Sequence, residues 1–536
     1  LTILFFLAHA IYRRKNFAKL GLAAGIIVAM AFLAGAAQIL PAWEYSKLAY
    51  RWVGLDHPLG ATDKVPFSIL SHYEFGSSTV LGIVIPGLRK NAGAYVGITA
   101  FGLAVLALGR AWQHQAVRVM FGIGLGGLFY ALGSEFPGTG LAYALFPALD
   151  KARSVSMAVI LTSTAISVLL SYSIDEILNR TDSKYISFYK KGCVVAAILI
   201  FTAIYFAFLQ SGGDFKADTR GAAVAVTALL SALAIHAWQS KKIGASALTA
   251  AMGAILITDA SHGDLSLMPS IRQANASNAV LYELAAHGEV AEWLYAQDPP
   301  FRITVDDQII RYNFGDWFGL ESMYGYLASL SRELFDMGPW PDQVRRLFGV
   351  RYHVGTEPFG AWSEEAFSAP SGLKVYQRQD VLSIARIVHR AERIPQELSF
   401  DNFIAQQNND LDNVVYLPEP VPELETCEGF EGVRMVHRSS NRVVVRAHLD
   451  CRGMLIVADT WYPGWKATVD GSETHIYKAY GVFRGVVLGP GRHTVEFRYR
   501  PWTVFVGSAL SLLAVGIAIV TWRARRNCTD SPQQIH

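Results

Sequence analysis

Glu44 follows Pro41 just past a long apolar run, which places its carboxylate at the depth of a lipid headgroup. Asp56-His57 lies a short way further along the chain. A carboxylate in such a place can act as a general base or orient a hydroxyl nucleophile. The alternative for either is a solvated loop charge, and for Glu44 a helix-end acid facing Lys47 at i,i+3 spacing. Arg89-Lys90 and Lys151-Ala-Arg153 gather positive charge in two loops. Such groups can clamp a phosphate, or they can serve as ordinary anchors at a membrane interface. Trp461, Tyr462 and Trp465 crowd one turn, where they either pack that turn onto a sheet or present a face on which a sugar ring stacks. Cys427 and Cys451 share a polar region. They can form a disulfide if that region meets an oxidising compartment; the alternative is two buried free thiols. No Cys-x-x-Cys pair, His cluster, catalytic triad or phosphate-cradling glycine loop occurs in the sequence.

The elements that would hold these residues follow from local pattern. Pro463-Gly464 is a turn signal, and Asp470-Gly471 is a two-residue hairpin of the I′ kind, so Lys466 to Val469 reads as a strand. Val443, Val445 and Ala447 alternate with Arg442, Arg446 and His448. Val495, Phe497 and Tyr499 alternate with Thr494, Glu496 and Arg498. Period-two alternation of this kind predicts half-buried strands, and a small β-sandwich over 431–502 closes them. Residues 263–430 read as α/β, with a helix over 280–295, strands at 301–305 and 347–354, and a linker at Pro418 to Pro422. Asp459, Asp470 and Glu473 read as turn and edge residues.

The chain has 536 residues, 52% of them apolar and 17% charged, which is too apolar for an ordinary soluble protein. A net charge of +3 points to no nucleic-acid partner. Long apolar runs at 18–40, 92–110, 119–134, 155–174, 192–210, 221–238, 243–260 and 503–522 predict membrane helices. A further apolar piece, Leu1 to Tyr12, is too short to span and reads as the end of a helix whose start is missing, so the sequence reads as a fragment. Basic clusters recur at every second junction, which predicts an extracytoplasmic 261–502 and a cytoplasmic C-terminus. The expected fold is a polytopic α-helical membrane protein with an extracytoplasmic α/β plus β-sandwich domain and one C-terminal membrane helix. Its parts are a membrane domain at 1–262 with about eight helices, the α/β region at 263–430, the sandwich at 431–502, the last helix at 503–522 and a tail at 523–536.

Tyr462-Pro-Gly-Trp465, Val469-Asp-Gly471 and Gly489-Pro-Gly-Arg-His-Thr-Val-Glu-Phe-Arg-Tyr-Arg-Pro501 precede a closing apolar helix. This order resembles the C-terminal end of the bacterial YfhO-type membrane proteins. Gln38-Ile-Leu-Pro41-Ala-Trp-Glu44 and Tyr95-Val-Gly-Ile98 are similar to earlier helix boundaries of that family. The family is grouped with multi-spanning glycosyltransferases that use lipid-phosphate sugars outside the cytoplasm. The resemblance implies an enzyme of the bacterial cytoplasmic membrane that moves sugar from a polyprenyl-phosphate donor to a cell-envelope acceptor. Membrane lipids, the lipid-linked sugar and an envelope polymer would be its partners. It also implies a catalytic acid in the first outside loop, upstream of Leu1, which leaves Glu44 and Asp56 as the local candidates. The leaving phosphate needs positive groups or a divalent metal; no other cofactor is implied. Two further classes stay open: a non-catalytic protein that binds or scaffolds an envelope polymer, and a lipid or polymer transporter. No acid sits in the middle of an apolar run, which counts against proton-coupled transport.

Overall fold

The computed structural model describes residues 17–529 apart from 86–94, 147–148, 180–183, 211–218, 273–281, 283, 311–312, 324, 326–327, 338–341, 361–363, 396–402, 404–408, 419 and 428–430. The expected helix end at Leu1 to Tyr12 lies outside these residues. The chain divides into two compact units. One takes the chain up to Val28, then Val53–Leu55 and Asp63–Ser277; the other takes Ala29–Trp52, Asp56–Thr62 and the chain from Asn278 onward.

The first unit is helical. After the opening half of α1 (Phe17–Leu48) come α2 (Ile98–Arg110), α3 (Gln115–Ala131), α4 (Val159–Asn179), α5 (Lys184–Gln210), α6 (Thr219–Gln239) and α7 (Ala245–Arg272). Five helical segments among the described residues are long and apolar enough to cross a bilayer: Gly21–Leu48, Val155–Asn179, Lys184–Phe206, Gly221–Gln239 and Trp502–Ala524. Ile98–Arg110, Gln115–Ala131 and Ala245–Ser261 are apolar but shorter. Helix covers most of the described residues of each of the eight complete apolar runs, and the protein is membrane-embedded. Phe188, Leu199 and Leu512 stand exposed on these helices, as side chains facing hydrocarbon do.

Small residues let the helices close on each other. A Cβ on Gly124 or Gly127 of α3 would come within 2.7 Å of Ala165 or Leu161 of α4, so only glycine permits this approach. A fully buried acid in α7 is satisfied. Asp259 of α7 accepts hydrogen bonds from the Tyr95 hydroxyl at 2.8 Å, the Thr99 amide at 3.0 Å and the Thr227 hydroxyl at 3.2 Å, and so caps the first turn of α2.

The second unit holds the end of α1, the short α8 (Gly288–Tyr295), the last helix α9 (Trp502–Thr529) and, among the described residues, all the strands. β1 (Ala49–Arg51) pairs antiparallel with β3 (Ser329–Ser331). β2 (Arg302–Val305), β4 (Val350–Gly355), β5 (Glu364–Ser368) and β6 (Lys374–Gln377) form a sheet in the order β2-β4-β6-β5, with β2 parallel to β4. β8 (Arg390–Arg393) and β9 (Val414–Leu417) make a parallel pair. The sandwich follows. One sheet runs β10-β11-β17-β13-β14, from β10 (Gly432–Ser439), β11 (Arg442–Leu449), β13 (Trp465–Val469), β14 (Ser472–Thr474) and β17 (Gly491–Tyr499). The other runs β15-β16-β12-β7, from β7 (Ala385–Val388), β12 (Gly453–Thr460), β15 (Tyr477–Ala479) and β16 (Phe483–Leu488).

Val443, Val445, Val495 and Phe497 of one sheet bury against Leu455, Val457 and Val486 of the other. These are the inward positions of the alternation, and their charged neighbours point out. Asp470 (φ 52°) and Gly471 (φ 88°) both occupy the left-handed region that a I′ turn requires. β7 is drawn from before residue 430, so the second sheet is not confined to 431–502. A four-residue strand carries too little alternation to announce itself. Cys427 and Cys451 are bonded, with Cα atoms 6.3 Å apart, and this ties the segment before β10 to the turn between β11 and β12.

Candidate functional site

The end of α1 and the start of α9 pack backbone against backbone. A Cβ on Gly507 would lie 2.5 Å from the Ala36 carbonyl oxygen. The Ser511 hydroxyl donates to the Leu33 carbonyl at 3.1 Å and accepts from the Ala37 amide at 3.1 Å. This contact brings Glu44, at the end of α1, beneath the sandwich that β17 delivers into α9. A cavity of about 380 Å³ opens there, and its lining includes Glu44, Asn441, Tyr462, Trp465, Tyr499 and Thr503.

Glu44 is half-buried, and its Oε2 accepts from the Thr503 hydroxyl at 2.6 Å. Its other carboxylate oxygen remains for a ligand. Four aromatic rings line the cavity with it: Tyr462 lies 6.2 Å from Tyr499, Trp465 lies 5.4 Å from Tyr499, and Tyr45 lies 6.5 Å from Tyr462. Burial pushes the Tyr462 hydroxyl up to about 12, with Tyr499 and the Glu44 carboxylate adding to the shift, so it stays protonated and can donate a hydrogen bond at neutral pH.

Behind Trp465 sits a buried ionic cluster. The Arg484 guanidinium lies 3.8 Å from the Trp465 ring centroid, on its inner face. Arg484 and Arg302 each reach a different oxygen of Asp459 at 2.7 Å, and Arg438 shares the Arg302 oxygen at 2.6 Å. Arg438 and Arg302 also face Glu321. Burial alone would raise the Asp459 carboxyl; the guanidiniums of Arg438, Arg484 and Arg302 outweigh it and hold the group below the usual carboxylate range. Burial pulls Arg484 down to about 10, and it remains charged at neutral pH. The three arginines come from β2, β10 and β16, so one aspartate joins three sheets. Read from sequence as a turn residue, Asp459 is instead a buried ionic hub. The cue was present: Arg484 interrupts an otherwise apolar strand, and a buried guanidinium demands a partner.

The remaining predicted site residues fall elsewhere. Trp461 is not among the cavity's lining residues; its ring carries the Lys478 ammonium at 3.8 Å. Asp56 and His57 are exposed in a bend and line no part of the cavity. Lys151 and Arg153 belong to the helical unit, where Lys151 donates to the Asp63 carbonyl at 2.7 Å and Arg153 lies over the Tyr73 ring at 4.2 Å. Arg89 and Lys90 lie outside the described residues. The lining residues of the cavity among those described include no cation. They include one carboxylate, already bonded to Thr503, which is a poor donor set for a hard divalent ion. The other group with metal-like spacing, His389 with Cys427 and Cys451, has its thiols tied up in the disulfide.

The sandwich, the turn motif and the head of α9 are also what comparison with known families picks out. Residues 430–511 match the family model described as bacterial membrane protein YfhO. The match is consistent with a YfhO-type membrane protein. The YfhO segment contains Asn441, Tyr462, Trp465, Tyr499, Thr503 and Asp459, so it supplies most of the cavity wall and the ionic hub behind it. Glu44 lies outside the YfhO segment and reaches it through the α1–α9 contact. No curated protein and no solved structure matches the chain.

Proposed function

We propose that this YfhO-type chain is a glycosyltransferase of the bacterial cytoplasmic membrane, taking a sugar from a polyprenyl-phosphate donor and placing it on a cell-envelope acceptor. One observation carries the reading: a half-buried carboxylate and a wall of aromatic rings share one cavity where membrane helices run into the sandwich. Rings of this kind stack on the apolar face of a sugar. The protonated Tyr462 and the Asn441 amide suit its hydroxyl groups. Glu44 is the group that would take the proton from an acceptor hydroxyl as that oxygen bonds to the anomeric carbon and the anomeric C–O bond to the polyprenyl phosphate breaks, the phosphate leaving with the bonding electrons. The Cys427–Cys451 bond supports an oxidising, extracytoplasmic setting for the sandwich. So does the charge bias of the loops.

A second reading has its own support. With no cation among its described lining residues and Glu44 bonded to Thr503, the cavity suits sugar binding without transfer, as in a scaffold for an envelope polymer. The test is a full-length preparation assayed with a panel of polyprenyl-phosphate sugars and envelope glycopolymers. Transfer that weakens in Trp465→Ala supports the enzyme. Saturable glycan binding without transfer from any donor overturns it and favours the scaffold.

A further inference from the structure

A second cavity, of about 410 Å³, opens on the other side of the ionic hub. Its walls include Tyr295 at the end of α8, Gln297, Glu321, and His437 and Arg438 of β10. The size is that of a small-molecule site. Tyr295 is 59% exposed, which leaves a large ring free to stack. Arg438 is fixed in place by Asp459 and Glu321, so its guanidinium is preorganised. Around the hub three guanidiniums face two carboxylates, Asp459 and Glu321, which leaves one positive charge in excess.

The two cavities are joined in two ways. Arg438 lines one, and Ser440 and Asn441 line the other, so the β10–β11 turn separates them by about 7 Å of chain. Asp459 holds Arg438 of the second cavity on one oxygen and Arg484, which backs Trp465 of the first, on the other.

We propose that the Tyr295–Arg438 cavity is a second saccharide subsite, which takes an acidic unit of the acceptor polymer, bearing a carboxylate or a phosphate, while the reacting end sits beside Glu44. The proposal rests on the sugar-handling reading of the first cavity. Tyr295 stacks on the ring, and Arg438 meets the anion.

The test is calorimetric binding to the detergent-solubilised full chain. The probes are an oligogalacturonate, a glycerol-phosphate oligomer and a neutral malto-oligosaccharide of equal length; the first two distinguish carboxylate from phosphate. At least one acidic probe should bind about ten-fold tighter than the neutral one. Tyr295→Ala should weaken it about ten-fold. Glu321→Gln keeps the hydrogen-bonding shape but removes a negative charge, so it should tighten the acidic probe and leave the neutral one unmoved. Trp461→Ala, at a ring that lines neither cavity, should leave the affinity for the acidic probe within about two-fold. Equal binding of acidic and neutral probes, no acidic binding at all, or no effect of Tyr295→Ala would overturn the subsite. Loss of acidic binding in Trp465→Ala but not in Tyr295→Ala would overturn it too, yet leave the first cavity standing. Sensitivity to Tyr295→Ala beside sugar transfer indifferent to Trp465→Ala would uphold the subsite and remove the first cavity's role.

Discussion

Asp459 draws its hydrogen bonds from three guanidiniums that the chain supplies at residues 302, 438 and 484. Removing the carboxylate strands Arg484 in a buried place and leaves Arg302 and Arg438 with Glu321 alone. Asp459→Ala should therefore cost about 3–5 kcal/mol, read as a lowered unfolding midpoint of the β-rich unit. An exposed acid such as Glu473, paired only with Lys466 across 3.5 Å, should cost almost nothing when replaced. Acid should act on the same region. Asp459 is held below its ordinary value, so the stability it lends is present at neutral pH and lost as pH falls through that lowered value. Burial holds His353 neutral down to about 4, against 6.5 for the free side chain. Between those values the unfolded chain binds the proton first, and stability falls by about 3 kcal/mol as pH drops across the window. The unfolding midpoint should decline steadily from pH 6.5 to 4, and His353→Gln should flatten that decline. A wild-type midpoint unchanged over this range would contradict the assignment.

Elements differ in how openly the sequence declares them. The alternation at Val443, Val445 and Ala447, and again at Val495 and Phe497, specifies both the strands and their buried face. Asp470-Gly471 specifies the hairpin between β13 and β14, because few other pairs tolerate two positive φ angles in a row. The meeting of Glu44 with Tyr462 and Trp465 was not legible, because more than four hundred residues separate them and tertiary contacts such as the packing of α1 on α9 bring them together. A trace of that contact exists in the spacing Gly507-x-x-x-Ser511 opposite Ala36 and Ala37, a small-residue stripe of the kind that lets helices approach. Gly507→Leu should part the two helices and disorder the cavity. The check is the Trp465 environment: its fluorescence response to a bound sugar should vanish, while Gly516→Leu, which meets open space, should leave it intact.

At the scale of the molecule, the complete apolar runs read from sequence are largely helical, and among the described residues five helical segments are long enough to cross a bilayer. Length and hydropathy fix where these elements lie. They do not fix which face of the membrane the sandwich meets; that rests on the loop charges and on the disulfide. In intact cells an impermeant maleimide should label Ser472→Cys, whereas Arg523→Cys should react only after lysis. Labelling of Arg523→Cys but not of Ser472→Cys in intact cells would reverse the topology and remove the envelope setting.

The claim on which the rest depends is that the Glu44 carboxylate works on a sugar. Transfer from a polyprenyl-phosphate sugar by the full chain in proteoliposomes, wild type against Glu44→Gln, tests it most directly. Glu44→Gln should lose about a hundred-fold or more in turnover with donor binding retained, because the amide keeps the Thr503 hydrogen bond but cannot accept a proton. Wild-type turnover in Glu44→Gln would contradict it.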